Sequence, residues 1–481
     1  SVVEPHMTGI GGDMFALVWL AKSQRLVALN ASGRAGARMT AAAFAAEGLN
    51  SVPRNARSIT VPGALSGWDV LVRTHGRRSL GQVLAPAIRY ARDGFPVSPI
   101  IAGQWADEAD FLRRDAGATA TFLPNGRAPR AGEWFRNPDY AATLQAIATS
   151  GIGSFYGGAL GTRMVEHVRS LGGFLELADL RAHKPTWVDP ISVPFQGYRV
   201  WELPPNNQGI AVLEMLRILE PYDLKALGHN TPAYLHRLIE AKKLAYADLD
   251  RFVGDADHLD GPIARLLSDE FITGRRALID TLRAQTRVEP GPARTKSETI
   301  YLTVADAEGN MVSFINSNFD SFGSGVVVPG TGFALHNRGE AFTLRPGLPN
   351  TVAPGKRPFH TLIPGFVTRT EGGREVAHMS FGLMGGGMQA QGHVQLLLNL
   401  FTFGMSPQQA VDAARFRHLN GLRVGLEPPF GEAPRAALAA MGHTPVMLEN
   451  AAYGGAQVIV RLPRGWVAAS DPRKDGAAIG Y

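Results

Sequence analysis

Two features of this chain have residue types and spacing suited to acyl transfer. Thr299 opens an alternating run, Thr299-Ile300-Tyr301-Leu302-Thr303-Val304-Ala305-Asp306, directly after the breaker-rich stretch Glu289-Pro290-Gly291-Pro292-Ala293-Arg294-Thr295-Lys296. A hydroxyl is a poor nucleophile until a base removes its proton, and a free α-amino group on the same residue can be that base. A Thr at a strand start behind a cleavable loop has the layout of an N-terminal nucleophile. Thr is also common at strand starts, so the local pattern leaves a structural reading open. The second feature is Gly385-Gly386-Gly387, which follows the strand-like Ala377-His378-Met379-Ser380-Phe381 and opens a helical run. Backbone N–H groups at such a point suit an anion, including the oxyanion of acyl transfer. No Lys-Ser/Thr follows, so the cluster is not a P-loop.

Other chemistries find little to work with. The chain has 481 residues and no cysteine, which excludes disulfides, thiolate metal sites and a Cys nucleophile. The 13 histidines are scattered without paired-ligand spacing, and there is no H-E-x-x-H and no G-x-S-x-G. Gly9-Ile10-Gly11-Gly12 precedes a strand, whereas a dinucleotide fingerprint follows one, so it reads as a tight loop. No metal or cofactor is expected. The net charge of +6 comes without a dense basic run, so nucleic-acid binding has no support. No apolar run approaches the ~18 residues that span a bilayer. Asn30-Ala31-Ser32 matches a glycosylation sequon and reads as chance in a bacterial-looking sequence. The chain opens on Ser1-Val2-Val3-Glu4-Pro5-His6 as if inside a domain, which leaves the compartment between bacterial cytoplasm and periplasm.

The elements that must position these residues follow from periodicity. Residues 14–20 and 25–29 read as a hairpin. Residues 64–295 read as mostly helical, with segments at 80–91, 211–219 and 232–246. Pro86 would kink the first of these or sit in its first turn. A second hairpin runs through 299–306 and 311–317 around the turn Ala307-Glu308-Gly309-Asn310. Helices return at 388–403 and 407–415, and strands near 456–462 and 465–470. Strands and helices segregate, so the class is α+β rather than a doubly wound parallel sheet.

Together these pieces resemble the γ-glutamyltransferase family over nearly the full length. Val3-Glu4-Pro5-His6-Met7-Thr8-Gly9-Ile10-Gly11-Gly12 is similar to its glycine-rich opening. Val61-Pro62-Gly63 with Gly67, Ala91-Arg92-Asp93-Gly94-Phe95, Pro204-Pro205-Asn206-Asn207-Gln208-Gly209, and Tyr246-Ala247-Asp248 with Gly254-Asp255 follow in family order. Thr299 to Asp306 stands where the family has T-T-H-x-S-V-x-D. Gly309-Asn310-Met311-Val312-Ser313, Phe322-Gly323-Ser324-Gly325, Pro354-Gly355-Lys356-Arg357-Pro358, Ala469-Ser470-Asp471-Pro472-Arg473 and the final Gly480-Tyr481 keep its spacing.

The resemblance implies a four-layer αββα sandwich of the N-terminal-nucleophile hydrolase type, and a zymogen that cleaves itself between Glu298 and Thr299. The products would be a large subunit, 1–298, lacking a counterpart of the family's N-terminal helical segment, and a small subunit, 299–481. They would stay together as a heterodimer, with further dimerisation open. It also implies that Ser317 hydrogen-bonds the nucleophile, and that Gly385 and Gly386 supply the oxyanion donors. No cofactor, nucleic acid or membrane is implied.

The substrate pocket departs from the family pattern. The Arg that holds the glutamyl carboxylate is displaced to Arg34. The Asn and Asp that hold its amine fall at Phe319 and Ala341, with Glu340 as a neighbouring substitute. The Ser-Ser pair reads His360-Thr361, and a Gln reads Arg338. Arg34, Arg338, His360 and Thr361 then suit an acidic acyl group without an α-amine, as in oxamate amidohydrolase or cephalosporin acylase relatives. Arg34 as a structural ion-pair partner and His360 as a packing residue are the competing readings. Glutathione hydrolysis or γ-glutamyl transfer, β-lactam acylase activity, and non-catalytic binding of a small anion are the alternatives in function.

Overall fold

The computed structural model describes residues 1–259, 261, 263–286 and 298–481. The breaker-rich stretch 289–296 lies outside them.

Two antiparallel sheets stack face to face. The first has five strands in the order Thr186–Val188, Arg25–Ala31, Asp13–Leu20, Met311–Phe319 and Glu298–Ala305. The second has six, in the order Trp466–Ser470, Gly455–Arg461, Arg374–Met384, Gly365–Glu371, Tyr198–Glu202 and Ile191–Phe195. Asp13–Leu20 shows why the sheets stack. Successive side chains point to opposite faces. Phe15, Leu17 and Trp19 enter the layer between the sheets with Tyr301, Ile315 and Phe366. Met14, Ala16 and Val18 face outward and are covered with Ala64 and Leu71 of the helix Ala64–His75. A strand buried on both faces needs an unbroken apolar run, and it has one. Each such side chain contributes roughly 1.5–3 kcal/mol on burial.

The second sheet's outer face carries the largest core, formed with the helices Gly209–Leu219, Pro232–Phe252 and Met388–Leu397. The layers are therefore helix, sheet, sheet, helix, as expected. Pro86 sits inside the helix Leu80–Asp93. The block 64–295 is less helical than its periodicity suggests, because three strands, Thr186–Val188, Ile191–Phe195 and Tyr198–Glu202, cross it to complete both sheets. These strands are short, three to five residues, and two lie at sheet edges, so each offers too few periods for alternation to stand out.

Segments on either side of residue 298 are interleaved. Asp13–Leu20 pairs with Met311–Phe319, and Tyr198–Glu202 pairs with Gly365–Glu371. Neither segment could form its sheets alone.

Candidate active site

Thr299 sits near the start of an edge strand, 1% exposed. The alternation read from the sequence holds, but the packed side is the hydroxyl-bearing one. Leu302 and Val304 are 40% and 53% exposed, whereas Tyr301 is buried. The Tyr301 hydroxyl is 2.8 Å from Ser313 Oγ, and Thr303 Oγ1 bonds Ser380 Oγ on the second sheet. An inward face of hydroxyls is stable because each finds a partner.

The register beside Thr299 is broken. Ile300 pairs with Asn316, but Glu298 pairs with Phe319, so the partner strand carries one extra residue here. Such bulges re-aim side chains. Thr299 Oγ1 donates to Ser317 Oγ at 3.2 Å, and Ser317 Oγ also accepts from Phe319 N at 2.8 Å. Phe319 has φ of 80°, a left-handed backbone that costs a bulky residue of order 1–3 kcal/mol. The bulge, the Ser317 contact and this strained residue coincide at one point.

The glycine turn lies level with the same point along the stacked sheets. Thr303 lies over Ser380, and Tyr301 over Gly382, where a Cβ would come 2.3 Å from the tyrosine ring. One more two-residue step along each strand brings Thr299 to the level of Met384 and the turn after it. There Gly385 and Gly386 have φ of 128° and 60°, between the strand Arg374–Met384 and the helix Met388–Leu397. Side chains hold the turn's carbonyls. Gln208 Nε2 donates to Gly386 O at 2.9 Å, Tyr246 Oη to Gly387 O at 2.6 Å, and Gln391 Nε2 to the same oxygen at 3.0 Å. Each carbonyl shares its peptide plane with the next residue's N–H, so these bonds fix the Gly387 and Met388 amides, and Met388 N, donating to Gly385 O at 3.0 Å, fixes the plane that carries the Gly386 amide. The Gln208 and Tyr246 motifs noted in the sequence thus serve the glycine turn.

The altered pocket residues come together, with one exception. Arg338 and His360 are fully buried, with Arg338 Nε 3.9 Å and His360 Nε2 3.5 Å from Asp13 Oδ2. The Arg338 guanidinium stacks 4.3 Å above the Phe319 ring. His360 packs edge-on to Phe15 at 5.0 Å. Burial, reinforced by the Arg338 charge, holds the His360 imidazole neutral, well below its ordinary range. Thr361 adjoins His360, and its carbonyl accepts from Gln208 Nε2 at 2.6 Å. Glu340 accepts from Asn337 Nδ2 at 2.9 Å. Arg34 is the exception. Its guanidinium is paired to Asp255 at 2.9 Å and Asp257 at 2.7 Å and bonds Gly355 O, which is the structural ion-pair reading.

Two groups of residues escaped sequence reading. Asp13 organises the buried cluster. Its Oδ1 accepts from Gly33 N and Gly63 N at 2.9 and 3.1 Å, and its Oδ2 lies 3.2 Å from His336 Nδ1. A carboxylate following a glycine loop was the available signal. The second group lines a cavity of about 140 Å³ that reaches from Thr361, Ala341 and Gly387 to Lys242, Arg417 and His418. Here the signal was Lys242-Lys243 inside an otherwise apolar helical face. Nearby, His236, Glu240 and His443 approach closely enough for a metal. However, His236 Nδ1 and His443 Nε2 already share a hydrogen bond at 2.8 Å, and Lys243 Nζ holds Glu240 at 2.7 Å. That trio reads as a hydrogen-bonded ion-pair network.

Comparison with known proteins agrees with this geometry. The family model for gamma-glutamyltranspeptidase matches residues 1–481. The glutathione hydrolase-like YwrD proenzyme of Bacillus subtilis is 35% identical over 100% of this chain and 91% of its own. The oxamate amidohydrolase proenzyme of Klebsiella pneumoniae is 36% identical over 100% and 92%. The crystal structure of cephalosporin acylase from Bacillus halodurans superimposes with a TM-score of 0.92 at 42% identity, covering 100% of this chain and 89% of that one. No helix among the described residues is long and apolar enough to cross a membrane. The chain belongs, over its whole length, to the gamma-glutamyltranspeptidase family of N-terminal-nucleophile hydrolases.

Proposed function

We propose that this protein is an autoprocessing amidohydrolase whose nucleophile is Thr299 and whose substrates carry a small acidic acyl group. The observation that carries the reading is the buried Thr299 hydroxyl on Ser317, at a strand bulge level with the Gly385–Gly386 turn. In the precursor, Thr299 Oγ attacks the Glu298 carbonyl and the peptide nitrogen leaves, giving an ester. Water cleaves the ester to the Glu298 carboxylate and frees the Thr299 amine. That amine, with an ordinary pKa of about 8, takes the hydroxyl proton as Oγ attacks a substrate amide. The amides of Gly385 and Gly386 hold the oxyanion, each donor contributing roughly 3 kcal/mol. The proton passes to the departing amine, and water releases the acid from the acyl-enzyme. The products 1–298 and 299–481 remain joined through the two shared sheets.

The acidic preference follows from the altered pocket. Phe319 and Ala341 offer no polar side chain to an ammonium group, while cationic side chains line the adjoining cavity. A hydrolysis panel on processed protein tests the reading. It contains γ-glutamyl-p-nitroanilide, glutathione, oxamate and a glutaryl cephalosporin. An acidic amide without an α-amine is expected to turn over best, and strong γ-glutamyl turnover would remove the pocket argument. The resemblance to cephalosporin acylase makes the glutaryl compound the favoured second substrate.

Gly385→Ala tests the turn. At φ of 128° an alanine is strained, and its Cβ would meet Gly454 Cα at 3.1 Å and Met388 Cβ at 3.2 Å. The shifted turn is expected to lower kcat by about 10²–10³-fold with a smaller change in KM, measured per processed molecule.

A further inference from the structure

The cavity beside the glycine turn is lined by more cations than carboxylates among the described residues. Among those residues, Lys242, Lys243, Arg345 and Arg417 line it, against one carboxylate, Asp250. Lys243 is paired to Glu240. Lys242 differs from it. It is 5% exposed, and among the described residues its Nζ donates to neutral atoms, His418 Nδ1 at 3.0 Å and Leu419 O at 3.5 Å, and stands 3.9 Å over the Tyr246 ring. His418 Nε2 faces Gly421 O at 2.9 Å, so the ring proton belongs there and Nδ1 is an acceptor. Burial pulls the Lys242 ammonium down to about 7, with Arg417 adding to the effect. A buried cation among neutral partners is unfavourable unless an anion joins it.

The cavity's other end identifies that anion's attachment. Gly387, Thr361 and Ala341 form it, and the Tyr246 under Lys242 is the residue that clamps Gly387 O. An acyl group whose carbonyl oxygen rests on the Gly385–Gly386 amides must extend its chain into adjoining space, whereas the amine side departs to water.

We propose that Lys242 is a specificity-determining residue, whose side chain binds a carboxylate at the far end of the acyl group, so that the preferred substrates are amides of short dicarboxylic acids. This rests on the reading of Thr299 as nucleophile. Arg417, whose guanidinium also donates to Ala452 O at 2.6 Å, lends positive potential to the same end.

Two substrates with one leaving group test it: glutaryl-p-nitroanilide and its neutral counterpart, glutaramoyl-p-nitroanilide. The processed parent enzyme is expected to favour the acid by about 100-fold in kcat/KM, mostly through KM, as suits a charge-assisted bond out of water. Lys242→Met should cut that ratio by about tenfold or more, and Lys242→Arg should keep most of it. The parent's own pH profile gives an answer that needs no variant. Below pH about 7 Lys242 is charged, and above it the charge is lost, so the acid-to-neutral ratio should fall between pH 7 and 9. His418 and Tyr246, which touch Lys242, hold their state over that range. Burial keeps His418 neutral and pushes the Tyr246 hydroxyl up, and Lys243, which burial also lowers, is ion-paired to Glu240; Arg417, Arg345 and Asp250 line the same cavity. Equal kcat/KM for the two substrates, a ratio unchanged in Lys242→Met, or a ratio flat from pH 6 to 9 overturns the proposal while leaving Thr299 in place. Failure to turn over either substrate overturns the Thr299 reading, and this proposal with it.

Discussion

Thr299→Ala is expected to purify as one uncut chain of 51.6 kDa with at least a ~10⁴-fold loss of hydrolysis. One oxygen is asked to do two jobs, attack on the Glu298 carbonyl and attack on the substrate. Its removal stops both, and the first failure also leaves the amine that would act as base locked in a peptide. The fold tolerates the change, because Ser317 Oγ keeps its bond from Phe319 N and only a methyl and a hydroxyl are lost. Thr299→Ser retains the oxygen and should still cut, more slowly, because a serine lacks the methyl that restricts χ1. Intact mass and a single-substrate rate decide the matter. Two fragments from Thr299→Ala, or turnover near the parent's, would remove Thr299 from the chemistry.

The Thr299–Ser317 pair was legible through the family resemblance, and the register of the hairpin accounts for it. A five-residue connection, 306–310, sets Ala305 opposite Met311 and Ile300 opposite Asn316, which brings Thr299 level with Ser317. The glycine turn was legible for a related reason: strand, three glycines and helix are consecutive in the chain, so their geometry is local. What the sequence could not supply was the bulge, which depends on the strained Phe319 as well as on hairpin length. Long-range partners were also hidden. Arg34 bonds Asp255 and Asp257, which lie 221 and 223 residues away in the chain, too far for the sequence to show the pairing. Lys242 belongs to a helix whose apolar spacing announces a core, and its role depends on His418 and Arg417, brought to it by a separate strand. The three strands within 186–202 failed to register because their stability comes from neighbours in the sheet more than from their own alternation.

Asp13→Ala should be the most damaging single change to stability, costing about 3–5 kcal/mol. The carboxylate is fully buried and engages on both oxygens. Oδ1 satisfies the amides of Gly33 and Gly63, while Oδ2 faces His336, His360 and Arg338. Alanine leaves two buried donors unsatisfied and removes a negative charge from beside a buried guanidinium, and each defect is expensive where water cannot enter. Asp13→Asn separates the two costs, since its amide oxygen can still accept from the glycine amides while the charge is gone. It should fall between parent and Asp13→Ala in denaturant midpoint. The pH dependence has a definite sign. Burial raises the Asp13 carboxyl, but His336, by charge and hydrogen bond, and Arg338 outweigh it and hold the group below the usual carboxylate range. A group depressed in the folded state stabilises fully above its unfolded value of about 4, and that contribution is lost as pH falls further through the folded value. The parent's advantage over Asp13→Ala should therefore be constant from pH 5 to 8 and shrink only in stronger acid. An Asp13→Ala protein within about 1 kcal/mol of the parent would show that the cluster is held by its packing, with the carboxylate a passenger.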